Sequence, residues 1–408
     1  MLAAVPACLG AILGAAAVYI DRNQILDPDV AGFQQLARDM TLSNVFGGLR
    51  EPLWPLLLVA PVHLFGSDSA IAIRFVGVLG FVWLIVASQL LIRQLFGSVW
   101  SLVGAAVLAV DPWLVFQSAR GLREEAAAGM IMFVCFLLAR PKPTSRRFLL
   151  LFGLAGITGL LRWDGMVVML PVLGLALVRD RPSPLTWVLG PTLVAVLVGP
   201  LLIANYVEYG DPLYHSNSHA RFFRNIEFQG QPGFAGPPIT WTQYVFGLHS
   251  KTTLVERAVK SFETIPFTVV NLAVFTPNAA SGDSLWSFGA KHVSWLGPRG
   301  IRVVELAVLS LIWALCALGG VVLLRTRAWA VPAILVETIL LYSPIANLID
   351  YRLVLTVFPL MLVSAIAAVH FSLPRVAVSR WVPRPLRSWR SSSASPKAKA
   401  GIAPAHAR

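Results

Sequence analysis

The sequence predicts an all-α polytopic membrane protein, a bundle of about ten transmembrane helices with interfacial helices and loops on its outer face. Three observations lead there. Hydrophobic residues fill 56% of the 408 positions and charged residues only 13%, against roughly 25% charged in soluble domains. Nearly uncharged stretches of about 20 residues recur along the chain, the length a helix needs to cross about 30 Å of hydrocarbon. Basic residues gather in short connectors, while the long ones are mixed or acidic. These features exclude a soluble enzyme and a disordered chain. Cys8, Cys135 and Cys316 all fall in apolar runs, which leaves neither a disulfide framework nor metal-ligand spacing.

The first span covers 2–20. It has no positive segment ahead of it, which favours an uncleaved span over a signal peptide. Further spans follow at 69–91, 99–117, 126–139, 148–161, 166–178, 185–206, 301–324, 329–347 and 352–372. Four basic residues occupy 140–147, and eight basic residues with no acid lie from Arg375 onward, whereas 21–51 holds five acids and three bases. Basic connectors stay in the cytoplasm, so both termini are expected inside and 21–68, 117–125 and 207–300 outside. Two apolar elements are too short to span and read as interfacial: Pro52–Phe65 and Phe262–Phe275. The domain expected is 1–373, followed by a basic, low-complexity cytoplasmic tail at 374–408. That tail suits anionic lipid better than nucleic acid.

Polar groups at the membrane boundary are costly and need a reason. Asp27-Pro28-Asp29 opens an amphipathic helix just outside the first span. There Asp29 either caps the helix or serves as a general base in a partly dehydrated setting. Arg120-Gly-Leu-Arg123-Glu124-Glu125 precedes the span at 126–139. Acids at a helix start complement its dipole, but four charges in six residues exceed what capping requires. Arg162-Trp163-Asp164 is a structural ion pair or a phosphate clamp, since a guanidinium offers a planar fork to an oxyanion. After the span at 185–206, Gly210-Asp211-Pro212 turns the chain into Tyr214, His215, His219, Arg221 and Arg224. His215 and His219 share a helical face at i, i+4. They lack the further ligands of a zinc site, so substrate hydrogen bonding or surface packing fits better. Arg352, opening the last span, either snorkels to the interface or meets an anion.

These motifs, in this order, resemble the GT-C membrane glycosyltransferases, in particular the bacterial relatives of protein O-mannosyltransferases and aminoarabinose transferases. The resemblance rests on DPDxxxF at 27–33, Arg50-Glu51-Pro52-Leu53-Trp54-Pro55, Arg74, Glu124/Glu125, LLRWDG at 160–165, GDPLY at 210–214 and YRLVLTVFPLMLV at 351–363. It implies transfer of a sugar from a polyprenyl-phosphate donor to a hydroxyl of a glycan, lipid or protein, on the outer face, with inversion at the anomeric carbon. The family's first-loop acid corresponds to Asp29, with Asp27 its neighbour and Phe33 where tyrosine is usual. Its second-loop acid corresponds to Glu124 or Glu125.

Such a reaction needs a base for a weakly nucleophilic hydroxyl and cations for the departing phosphate. Arg162, Arg221, Lys251 and Arg352 are candidates for the phosphate, and Tyr214, His215 and His219 for other substrate contacts. No cofactor is certain from the sequence. A divalent metal stays open, because Asp27-x-Asp29 matches the DxD spacing of some glycosyltransferases. Two rivals remain. A transporter or flippase for lipid-linked glycans calls for polar residues through mid-span, and here they gather at outer ends. A non-catalytic scaffold predicts that Asp27, Asp29, Glu124 and Glu125 all tolerate conversion to amides.

Overall fold

The structure is a computed structural model that describes residues 2–26, 28–41, 44–46, 50–66, 69–141, 143–214, 297–342 and 353–372, with short pieces between 239 and 259. Among these residues it is helical, without strands. The elements are α1 (Val5–Asp21), α2 (Pro28–Asp39), α3 (Leu53–Phe65), α4 (Ser69–Phe96), α5 (Ser98–Val110), α6 (Pro112–Ala119), α7 (Glu124–Ala139), α8 (Ser145–Leu161), α9 (Trp163–Asp180), α10 (Pro184–Tyr209), α11 (Gly297–Leu324), α12 (Ala330–Tyr342) and α13 (Leu353–Ser372). The expected spans fall in order on α1, α4, α5 with α6, α7, α8, α9, α10, α11, α12 and α13.

Four of these helices are long and apolar enough to cross a membrane unaided: α4, α10, α11 from Leu306, and α13 from Leu355. The expected span at 99–117 is not straight. It breaks into α5 and α6, which meet at 56°. Pro112 lacks the amide that would continue the ladder, and the Asp111 carboxylate accepts the Leu114 N–H at 2.9 Å, capping α6. The other apolar helices run from 13 to 18 residues, shorter than the roughly 20 of an upright crossing.

The centre of the bundle is α4, which packs against α1, α3, α5, α6 and α7, while α8 lies between α9 and α10 and α11 pairs with α13. One large core joins Phe81, Leu84, Leu91, Leu108, Met132, Phe148, Met169, Val331, Leu360 and their neighbours. On the outward side, α10 exposes Val188, Val196 and Ile203. Their spacing of seven or eight residues draws one apolar stripe facing away from the core.

The α11–α13 pair depends on Gly319, where an added Cβ would run into the Ser364 carbonyl and crowd the Ala368 amide. Backbone cannot yield as a flexible side chain does. Gly319→Ala is therefore expected to lower the melting temperature of the detergent-extracted protein, while Gly174→Ala, where the site is open, leaves it unchanged or raises it.

The part of the fold that builds the site is a second, smaller core. On α2, Val30, Phe33 and Ala37 recur at helical spacing and are buried; they meet Trp54, Leu58 and Val62 of α3, Ile73 of α4, and Leu122, Ala127 and Leu161. This apolar seat fixes α2 and α3 on the bundle and brings three chain segments of distant sequence to one end.

Candidate active site

The first segment is the connector into α3. Arg50 Nη2 lies 2.8 Å from Asp29 Oδ1 on α2. Asp29 sits in the first turn of α2, one residue after Pro28, and its carboxylate forms an ion pair across to the α3 entrance. Glu51 is buried and pairs with Arg123 at 2.7 Å, both side chains being 5% exposed or less. Its other oxygen accepts the backbone N–H of Trp163 at 3.0 Å, which ties the α3 entrance to the start of α9.

The second segment is the turn from α6 into α7. Gly121 has φ of +79°, a left-handed conformation that costs a residue with Cβ far more. The turn buries Leu122 in the small core and leaves Arg123, Glu124 and Glu125 at the head of α7. The third is the break between α8 and α9. There Arg162 is extended (φ −158°, ψ 112°), and its guanidinium joins Glu124 Oε1 at 3.0 Å and both oxygens of Asp164 at 2.8 and 2.9 Å. Phe33 lies under two of the cations, 4.8 Å from the Arg50 guanidinium carbon and 5.0 Å from that of Arg123, close enough for cation–π attraction.

Glu125 is fully buried and neither of its carboxyl oxygens has a hydrogen-bond partner among the described residues. It precedes the apolar run at 126–139. Burial first, and the neighbouring Glu124 second, push its carboxyl well above the ordinary 4.5. With a raised native value, the folded protein keeps this proton where the unfolded chain loses it. Wild-type stability therefore falls as pH climbs past the ordinary glutamate range. Glu125→Gln removes that dependence, so thermal melts across pH should show the variant gaining on the wild type as pH rises above about 4.3.

Asp29, Glu124, Glu125 and Arg162 thus come together, three sequence clusters in one place. Tyr214 is placed differently. Gly210 ends α10 in a left-handed turn, and Tyr214 stacks on Tyr209 at 4.0 Å while its carbonyl accepts from the Asn205 side chain at 3.0 Å. Burial, and then the charge of Glu208, raise its hydroxyl's pKa, which suits a hydrogen-bond donor. Asp27, His215, His219, Arg221, Lys251 and Arg352 lie outside the described residues.

Arg50, Glu51 and Arg123 stand in the sequence motifs but not among the expected catalytic and substrate-binding residues. The signal was a charged pair directly before Pro52 at the membrane boundary, where an unpaired charge is costly. Arg74, also part of the sequence pattern, is buried on α4 and donates to the Gln24 carbonyl at 3.0 Å, which secures the connector ahead of α2. Among the described residues no group of three His, Cys, Asp or Glu side chains is arranged to hold a metal ion.

Two crystal structures of ArnT from Cupriavidus metallidurans, one in the apo state and one bound to undecaprenyl phosphate, superpose on this chain with a TM-score of 0.52 at 14% identity. The match covers 92% of the chain and 60–61% of the ArnT structures. The fold is GT-C-like. No protein-family model and no curated protein sequence matches the chain. A GT-C-like bundle is a multi-pass membrane protein, in keeping with the apolar helices above. This chain spans about three-fifths of the length of the ArnT structures it resembles.

Proposed function

We propose that the protein is a membrane glycosyltransferase that moves a sugar from a polyprenyl-phosphate carrier to an acceptor hydroxyl at the outer face of the plasma membrane, with inversion. The observation that carries this reading is the convergence of Asp29, Glu124 and Arg162 with Arg50, Glu51 and Arg123 at one end of a GT-C-like bundle. The ArnT structure bound to undecaprenyl phosphate supports the choice of a polyprenyl carrier.

Asp29 is the base. Its side chain is 23% exposed, against 6% for Glu124 and 3% for Glu51, so an acceptor can reach it. The acceptor oxygen bonds to the anomeric carbon as its proton passes to Asp29, and the bond from that carbon to the phosphate oxygen breaks. The electron pair leaves with the polyprenyl phosphate, whose growing charge is met by arginine. Glu51 and Glu124 hold Arg123 and Arg162 in place for that task, and the fixed geometry contributes proximity.

The reading is tested by native mass spectrometry of the protein gently extracted from its own membranes, wild type beside Asp29→Asn. A co-purifying polyprenyl phosphate, with its glycosylated form accumulating on the variant, is the expected result. Bulk phospholipid alone on both proteins would favour a transporter or scaffold.

A further inference from the structure

At the opposite end of the bundle from the acidic cluster, α7 finishes, α9 finishes and α12 begins around a cavity of about 290 Å³. Along α7 this is about 24 Å away, at 1.5 Å per residue over 16 residues. Its lining is Leu138, Arg140, Ala176, Arg179, Asp180, Arg327 and Trp329, with Pro143. Floor and rim differ in kind. Leu138, Ala176 and Trp329 are buried, whereas Arg140, Arg179 and Arg327 are exposed. Two of the guanidiniums are held over rings, Arg179 at 5.5 Å from Trp329 and Arg140 at 4.5 Å from Phe136.

Asp180 is the one acid of the lining, and it is shared with a fourth arginine. Arg147 lies 3.7 Å from Asp180 and donates to the Arg140 carbonyl at 2.9 Å. The Arg147 side chain is only 9% exposed, and its Nε and Nη2 are buried without a hydrogen-bond partner among the described residues. Burial first, then Asp180 in opposition and repulsion from Arg327 and Arg140, act on that guanidinium. Four cations thus crowd one carboxylate around a cavity, an excess that an anion would relieve.

We infer that this cavity binds the phosphate headgroup of an anionic phospholipid from the leaflet at that end of the bundle. The placement suits a lipid better than a soluble phosphate. The cavity lies where apolar helices end, at headgroup depth, and basic pockets between membrane helices are suited to such headgroups. The aromatic floor of Trp329 is at home in the same zone. The inference stands apart from the reaction proposed for the other end and needs none of its residues.

Native mass spectrometry of the detergent-solubilised full chain tests it, with phosphatidylglycerol and phosphatidylcholine added in equal amounts. One phosphatidylglycerol should be retained in preference to phosphatidylcholine, and retention should fall by roughly tenfold or more in R179Q/R327Q. Arg93→Gln, which removes an exposed arginine near the same end of α4, should leave retention unchanged. Equal retention of the two lipids would overturn the inference, as would an equal loss in R93Q, which would mean a diffuse basic surface. Displacement of the lipid by millimolar inorganic phosphate would assign the site to free phosphate instead. If R179Q/R327Q does not survive extraction, the wild-type headgroup comparison and the phosphate competition decide.

Discussion

Replacing Asp29 with Asn is expected to lower sugar transfer by about 100- to 10,000-fold, the range over which a positioned acid–base group contributes. The amide keeps the size and planarity of the carboxylate and removes only the capacity to take the acceptor's proton. Donor binding should survive, so the readout separates into two parts. Turnover of membrane-extracted product falls, while the glycosylated polyprenyl phosphate stays on the variant or accumulates. Arg50 loses a charged partner at 2.8 Å, and Arg50→Lys with Asp29 intact measures how much of the effect is positional. If D29N paired with D27N retains full transfer, the base lies elsewhere.

The largest structural effect should come from Glu51. Glu51→Ala leaves Arg123 buried without its carboxylate and the Trp163 amide without its acceptor. Removing one partner of a buried ion pair costs about 3–5 kcal/mol, and the part-buried Trp163 amide loses its acceptor as well. The extracted protein should melt at clearly lower temperature. The double variant E51A/R123A should lose less than the sum of the two single ones, because it no longer buries a lone charge. Additive losses would mean that the two side chains act independently. By contrast, Asp29 and Arg50 are more exposed, and breaking that pair should cost little stability. A large loss of activity with a small loss of stability at Asp29, and the reverse weighting at Glu51, is the pattern that distinguishes a reacting group from a holding one.

Much of the scaffold is legible in the amino-acid order because apolar length is a local property. The positions of α1, α4, α7, α8 and α10 follow from runs of uncharged residues and the basic connectors between them. The amphipathic α2 follows from Val30, Phe33 and Ala37. The kink at Asp111-Pro112 is hidden in apolar length because a single acid inside a long apolar window hardly changes its average, although Asp-Pro is itself a start signal for a new helix. For the site, spacing located Asp29, Glu124, Glu125 and Arg162 but not their partners. Glu51 meets Arg123 and the amide of Trp163 across separations of more than 70 residues, and no periodicity encodes such a meeting. Pairing there is decided by the small core under α2 and α3, which only the folded chain reveals. The assignment of Arg162 shows the same limit. Asp164 two residues away is the partner that sequence suggests, and Glu124 is the one that folding adds.

Every charged group of the described cluster lies between residues 29 and 164, ahead of α10. A ribosome adds about 5–20 residues per second, so acids and arginines can neutralise one another in the nascent chain before the remaining helices have been made. The later helices are delivered to a hub whose ion pairs can already be in place.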